Sequence, residues 1–100
     1  MTPEQRQAEY QRASRGGEAE ALLNHPLIAT ALSEIRQEAT SAWEGTKPSD
    51  TAARERLYAQ VKAVALFETK LKEYIATGKL SNEKLTQWQK IREKAAGMIN

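Results

Sequence analysis

The 100-residue chain predicts an all-α protein: an antiparallel helical hairpin plus a third, C-terminal helix, with an N-terminal helical arm. Three observations predict it. Apolar residues recur at alternating spacings of four and three, the period of one helix face. No stretch alternates polar and apolar residues one by one, as a half-buried strand would. The periodic segments are separated by short runs of turn chemistry, Asn24-His25-Pro26 and Gly45-Thr46-Lys47-Pro48-Ser49-Asp50, short enough to make neighbouring helices antiparallel.

The first element begins at Thr2-Pro3-Glu4-Gln5, where Thr at N-cap, Pro at N1 and Gln at N3 form a capping box with a proline start. A polar helix follows to Ser14, and Arg15-Gly16-Gly17 ends it. Its one large apolar residue is Tyr10. So short a polar helix does not hold in water by itself. Residues 1–17 are therefore an arm that frays or orders on another surface, and residues 18–100 form a single helical domain. Residues 18–24 form a further helical turn or two, and His25-Pro26 breaks the chain, because proline disfavours the α region in the residue before it. Asn24 or His25 caps the next helix. Its seam is Ile28, Leu32, Ile35, Ala39 and Ala42, with Trp43 beside it and Gly45 as the stop.

Ser49 or Asp50 caps the longest helix, expected to run to Thr77. Its seam is Leu57, Val61, Val64, Glu68, Leu71 and Ile75, flanked by Phe67 and Tyr74 on one side and by Tyr58 and Ala65 on the other. This face is wider than one partner helix requires and points to contact with more than one. Gly78 is expected to end it. A last helix then runs from Asn82 to Ile99, with Leu85, Trp88, Ile91 or Arg92, Ala95 and Met98 or Ile99 on its face.

Composition narrows the function. No cysteine is present, which removes disulfides, thiolate metal sites and a cysteine nucleophile. No apolar run approaches the roughly 18 residues of a membrane span, and the N-terminus lacks the basic-then-apolar pattern of a signal peptide. A soluble, intracellular protein is expected. Many of the apolar residues are alanine, so the core is thin and a partner surface would support it. Residues 1–50 carry five basic and eight acidic residues, net −3, and residues 51–100 carry ten basic and five acidic, net +5. With no block of like charges, this favours attraction between the halves, within one chain or between copies.

Catalytic chemistry finds little footing. His25 is the sole histidine, and its place before Pro26 suits capping or packing better than acid–base work, which needs a partner group at hydrogen-bond reach. Glu34 and Glu38 share a helix face with no histidine to complete a metal site, and a solvated face explains them. Gly16-Gly17 lacks the phosphate-loop pattern, and Thr77-Gly78-Lys79 sits at a helix C-terminus, the wrong end for an anion. No catalytic residue, metal or cofactor is assigned, and no enzyme is expected. Glu68 differs from the other carboxylates: it interrupts an apolar seam, so it needs a Lys or Arg partner from another helix, in a register-setting or interface role. Trp43 and Trp88 close the apolar faces of their helices, and tryptophan is enriched at binding hot spots. The interface candidates are Tyr10, Trp43, Phe67, Glu68, Tyr74 and Trp88. A nucleic-acid surface is the alternative, on Lys84, Lys90, Arg92 and Lys94. Their scatter, and Glu93 among them, argue against a continuous phosphate-binding stripe.

The segments Asn24-His25-Pro26-Leu27, Trp43-Glu44-Gly45-Thr46, Asp50-Thr51-Ala52-Ala53-Arg54-Glu55-Arg56-Leu57-Tyr58 and Thr77-Gly78-Lys79-Leu80 resemble small helical proteins that tailed bacteriophages and prophages encode in the head-assembly gene region. The resemblance covers residues 18–80. It implies a non-enzymatic virion or assembly protein, found in the host cytoplasm during assembly or in the virion. Its partners would be further copies of itself or other phage structural proteins, with nucleic acid less expected and no membrane. The family supplies no site motif, so no functional residue is carried over.

Overall fold

The computed structural model describes residues 1–99 and holds three helices, α1 (Pro3–Leu23), α2 (Pro26–Glu44) and α3 (Thr51–Ile99), with no strand among the described residues. The protein is all-α, as the periodicity predicts.

Each helix start is set by the residue before it. The Thr2 N–H donates to Gln5 Oε1 at 2.8 Å and the Gln5 N–H to Thr2 Oγ1 at 3.1 Å, a reciprocal capping box. His25 caps α2: its backbone is extended and its Nδ1 accepts from the Leu27 N–H at 3.1 Å. Asp50 caps α3, with Oδ1 accepting from the Ala53 N–H at 3.1 Å. Such caps contribute about 1 kcal/mol each. Gly45 ends α2, as expected, but in a right-handed conformation.

Two expected helix ends are corrected. Arg15-Gly16-Gly17 does not end α1, which continues to Leu23. Gly78 does not end α3, and the expected separate last helix is the continuation of the same 49-residue helix. The physical reason lies in packing. Glycine weakens a helix interior by roughly 0.5–1 kcal/mol, and tertiary contacts override that. Gly16 and Gly78 are both buried against each other.

The chain forms two compact units. In the first, Met1–Glu20 packs antiparallel on α3 from Leu71 onward. Its seam is buried at Glu9, Gly16 and Ala19 on α1 and at Leu71, Gly78, Ser81 and Leu85 on α3. The N-terminal arm of residues 1–17 is thus helix packed on α3. Met98 and Ile99, expected on this seam, lie outside the residues whose side chains are described. The second unit, Ala21–Lys70, is the helical hairpin of α2 and the first part of α3. Ala39 and Val64 are buried there, with Ile28, Leu32, Ile35, Leu57 and Val61 half-buried around them.

Only five apolar residues in the described chain are buried, and two of them are alanines. The accessible surface is 7722 Å². The thin core expected from the alanine content is what the structure shows.

Candidate interaction surface

The seam of the first unit is polar at its centre. Glu9 is buried, and its Oε1 meets Arg12 Nη1 at 3.1 Å and Lys84 Nζ at 3.8 Å. No donor reaches Oε2 with full hydrogen-bond geometry. The carboxyl nonetheless stays charged below its ordinary range. The Ser81 hydroxyl contributes most to this, and Lys84 and Arg12 assist against the opposing effect of burial. Two turns along, the helices meet through glycine: a Cβ on Gly16 would stand 2.8 Å from the Gly78 Cα. At the ends, cations lie over rings. Arg15 sits 5.4 Å from the centroid of Tyr74, and Arg6 and Arg92 sit 4.9 Å and 5.5 Å from that of Trp88. Each such contact contributes about 0.5–1 kcal/mol at an exposed site. Glu9, Ser81, Gly16, Gly78 and Arg6 were not singled out as contact residues from the sequence. The signal is present, since Arg6, Glu9, Ala13 and Gly16 follow the same three-four spacing as an apolar seam.

In the second unit, Glu68 forms an ion pair with Arg36 of α2, so the polar break in the α3 seam has a cationic partner from another helix. Trp43, at the end of α2, lies under Arg54, whose guanidinium is 4.4 Å from the ring centroid and donates to Thr46 Oγ1 at 3.1 Å. Thr46 in turn donates to the Trp43 carbonyl at 2.6 Å, tying the loop to both helices. Around these contacts apolar surface is open. One groove is lined by Ala39, Thr40, Trp43, Leu57, Tyr58 and Val61. Another is lined by Ile28, Ala31, Leu32, Ala63, Val64 and Phe67, and it continues past Leu66 to Lys70. Leu27 and Leu66 are 69% and 68% exposed, and Phe67 is 47% exposed.

The interface candidates therefore divide. Phe67 and Trp43 line open apolar grooves, Glu68 is half-buried in its ion pair, and Tyr74 and Trp88 are half-buried under arginines in the other unit. Tyr10 is exposed on α1. The basic candidates also divide. Lys84 pairs with Glu9 and Arg92 lies over Trp88, while Lys90 and Lys94 share a separate exposed stripe four residues apart. Among the described residues, no group of three His, Cys, Asp or Glu could hold a metal ion, and no helix is long and apolar enough to cross a membrane. No family model, curated protein or solved structure matches the chain.

Proposed function

We propose that this is a non-enzymatic assembly protein that acts through helix-mediated contacts with other protein chains. The carrying observation is the open apolar flank of the hairpin, where Leu27, Leu66 and Phe67 stand in solvent. Isolated exposed leucines are ordinary, but a contiguous apolar groove marks an interaction surface. That the assembly is a phage head or its precursor is supported by the sequence resemblance of residues 18–80. Nucleic-acid binding is less favoured, because Lys84 and Arg92 are engaged within the chain.

The test is solution mass by light scattering, alone and with a short DNA duplex, at low and moderate salt. The expected result is a defined multimer whose mass the duplex does not change. A monomer that gains mass with duplex at low salt and loses it as salt rises would overturn the reading in favour of a phosphate-binding protein.

A further inference from the structure

We propose, resting on the assembly reading above, that the partner is a second copy of this chain and that the two copies join through one flank of the α2–α3 hairpin. The seam that closes the hairpin is Ile28, Leu32, Ile35 and Ala39 on α2, against Leu57, Val61, Val64 and Glu68 on α3. One residue earlier, each helix carries a second stripe with the same spacing. On α2 it is Leu27, Ala31, Glu34 and Glu38; on α3 it is Arg56, Gln60, Ala63, Phe67 and Lys70. Residues at alternating spacings of three and four share one helix face. A helix with two such stripes side by side is built to contact two neighbours. The first stripe is closed within the hairpin. The second is the open groove of Ala31, Ala63 and Phe67, with Leu27 exposed along it.

The charges on this flank identify the occupant. The α2 stripe carries only acids, Glu34 and Glu38, and the α3 stripe only bases, Arg56 and Lys70. Glu34, Glu38 and Arg56 have no ion pair among the described residues. A partner of a single sign would match one stripe and oppose the other. A second copy, with its α3 stripe on the first copy's α2 stripe, matches both, and the match is reciprocal. A two-fold interface has this self-complementarity. The small side chains Ala31 and Ala63 let helices approach closely, and Phe67 and Leu27 supply the apolar area. The four-helix arrangement that results buries the surface the hairpin alone leaves open.

The test is sedimentation equilibrium of the full chain from low micromolar to submillimolar concentration, with helicity followed by circular dichroism. The variants are Phe67→Glu, Glu38→Arg, Arg56→Glu and the double charge exchange Glu38→Arg/Arg56→Glu. The wild type is expected to reach the dimer mass. Phe67→Glu and each single reversal should weaken association by about tenfold or more with helicity unchanged, because like charges then face each other. The double exchange should restore association. If Phe67→Glu loses helicity, the exchange pair decides alone, since Glu38 and Arg56 are exposed and their replacement leaves the core intact. A multimer indifferent to all four variants would overturn this surface and leave the assembly reading standing, with the Trp43 groove as the alternative contact. A wild type that stays monomeric throughout would overturn self-association, and the duplex measurement above then decides the broader reading.

Discussion

Gly16 and Gly78 touch backbone to backbone: a Cβ on either one would lie 2.8 Å from the Cα of the other, and one on Gly16 would lie equally close to the Tyr74 carbonyl. Neither obstacle is a flexible side chain that could move aside. Gly16→Ala is therefore expected to destabilise the protein by about 1–3 kcal/mol through overpacking. Its neighbour Gly17 meets nothing within 4 Å, so Gly17→Ala should stabilise by about 0.5–1 kcal/mol through helix propensity. Gly16→Ala and Gly78→Ala combined should cost less than their sum, because one added methyl group already forces the helices apart. Urea denaturation of the four variants checks both the signs and the non-additivity.

Glu9 gives the first unit an acid-sensitive contact. Its folded pKa lies below the ordinary 4.5, so the folded state holds this proton less tightly than the unfolded chain does. Its contribution is complete above 4.5 and is lost as pH falls through the folded value. The thermal midpoint should fall as pH drops from about 5 to about 3, and Glu9→Gln should flatten part of that fall. Ser81→Ala removes the largest stabilising influence on the carboxylate, so the Glu9 titration, followed by carboxyl NMR shifts, should move upward. A Glu9 midpoint at or above its ordinary value in the wild type would show that the carboxylate is not held as described.

The Arg36–Glu68 pair should be weak as an energy source. The Arg36 side chain is 42% exposed, and solvent screens the interaction. A double-mutant cycle of Arg36→Ala and Glu68→Ala should give a coupling of about 0.2–1 kcal/mol. Glu68→Leu should leave stability unchanged or raise it, because an apolar residue then completes the seam. Analytical ultracentrifugation of Glu68→Leu should show a broader distribution of masses if this ion pair sets which helices meet.

Leu71 and Leu66 sit five residues apart on α3 and should respond in opposite ways. Leu71 is 7% exposed and Leu66 is 68% exposed. Leu71→Ala should cost about 2–5 kcal/mol, whereas Leu66→Ala should stay within about 0.5 kcal/mol at dilute concentration, where no partner covers it. Chemical denaturation separates the two. Comparable losses would mean that the apolar face of α3 is turned differently.

The parts of this fold that local chemistry determines were readable from the sequence. The cap at Thr2, the stop at Gly45 and the seam from Leu57 to Ile75 each depend on residues within a few positions of one another, and the other two caps were legible to within one residue, as Asn24 or His25 and as Ser49 or Asp50, of which the structure selects His25 and Asp50. The helix ends placed at Gly16-Gly17 and Gly78 were misplaced because glycine has the same local meaning at a C-cap and at a close helix crossing. What separates the two cases is a contact between residues 62 positions apart in the chain. A clue existed in the phase of the pattern, since Gly78, Ser81, Leu85 and Trp88 continue the face of Leu71 and Ile75. Glu68 was legible as a seam residue in need of a cation. Its partner Arg36 was not, because Arg36 lies beside the α2 seam and only the hairpin pairing brings it close. The flanking stripe was visible only as an over-wide face, because its charges acquire meaning once the closed side of the hairpin is known.

The glycine crossing and the Glu9 contact together make α1 intolerant of slippage. With Gly16 against Gly78, Glu9 falls beside Lys84 and Arg6 falls over Trp88. Sliding α1 by seven residues keeps its seam facing α3, so apolar burial alone would scarcely resist it. In one direction Glu9 would then come opposite Gly78 and away from the ammonium of Lys84, while Gly16 would come opposite Leu71 and the close backbone contact of the two glycines would be lost. A nearly featureless polar helix thus has one alignment in which both its missing side chain and its buried charge are matched, and sequence errors at Gly16 or Glu9 should appear as misaligned pairing before they appear as lost helix.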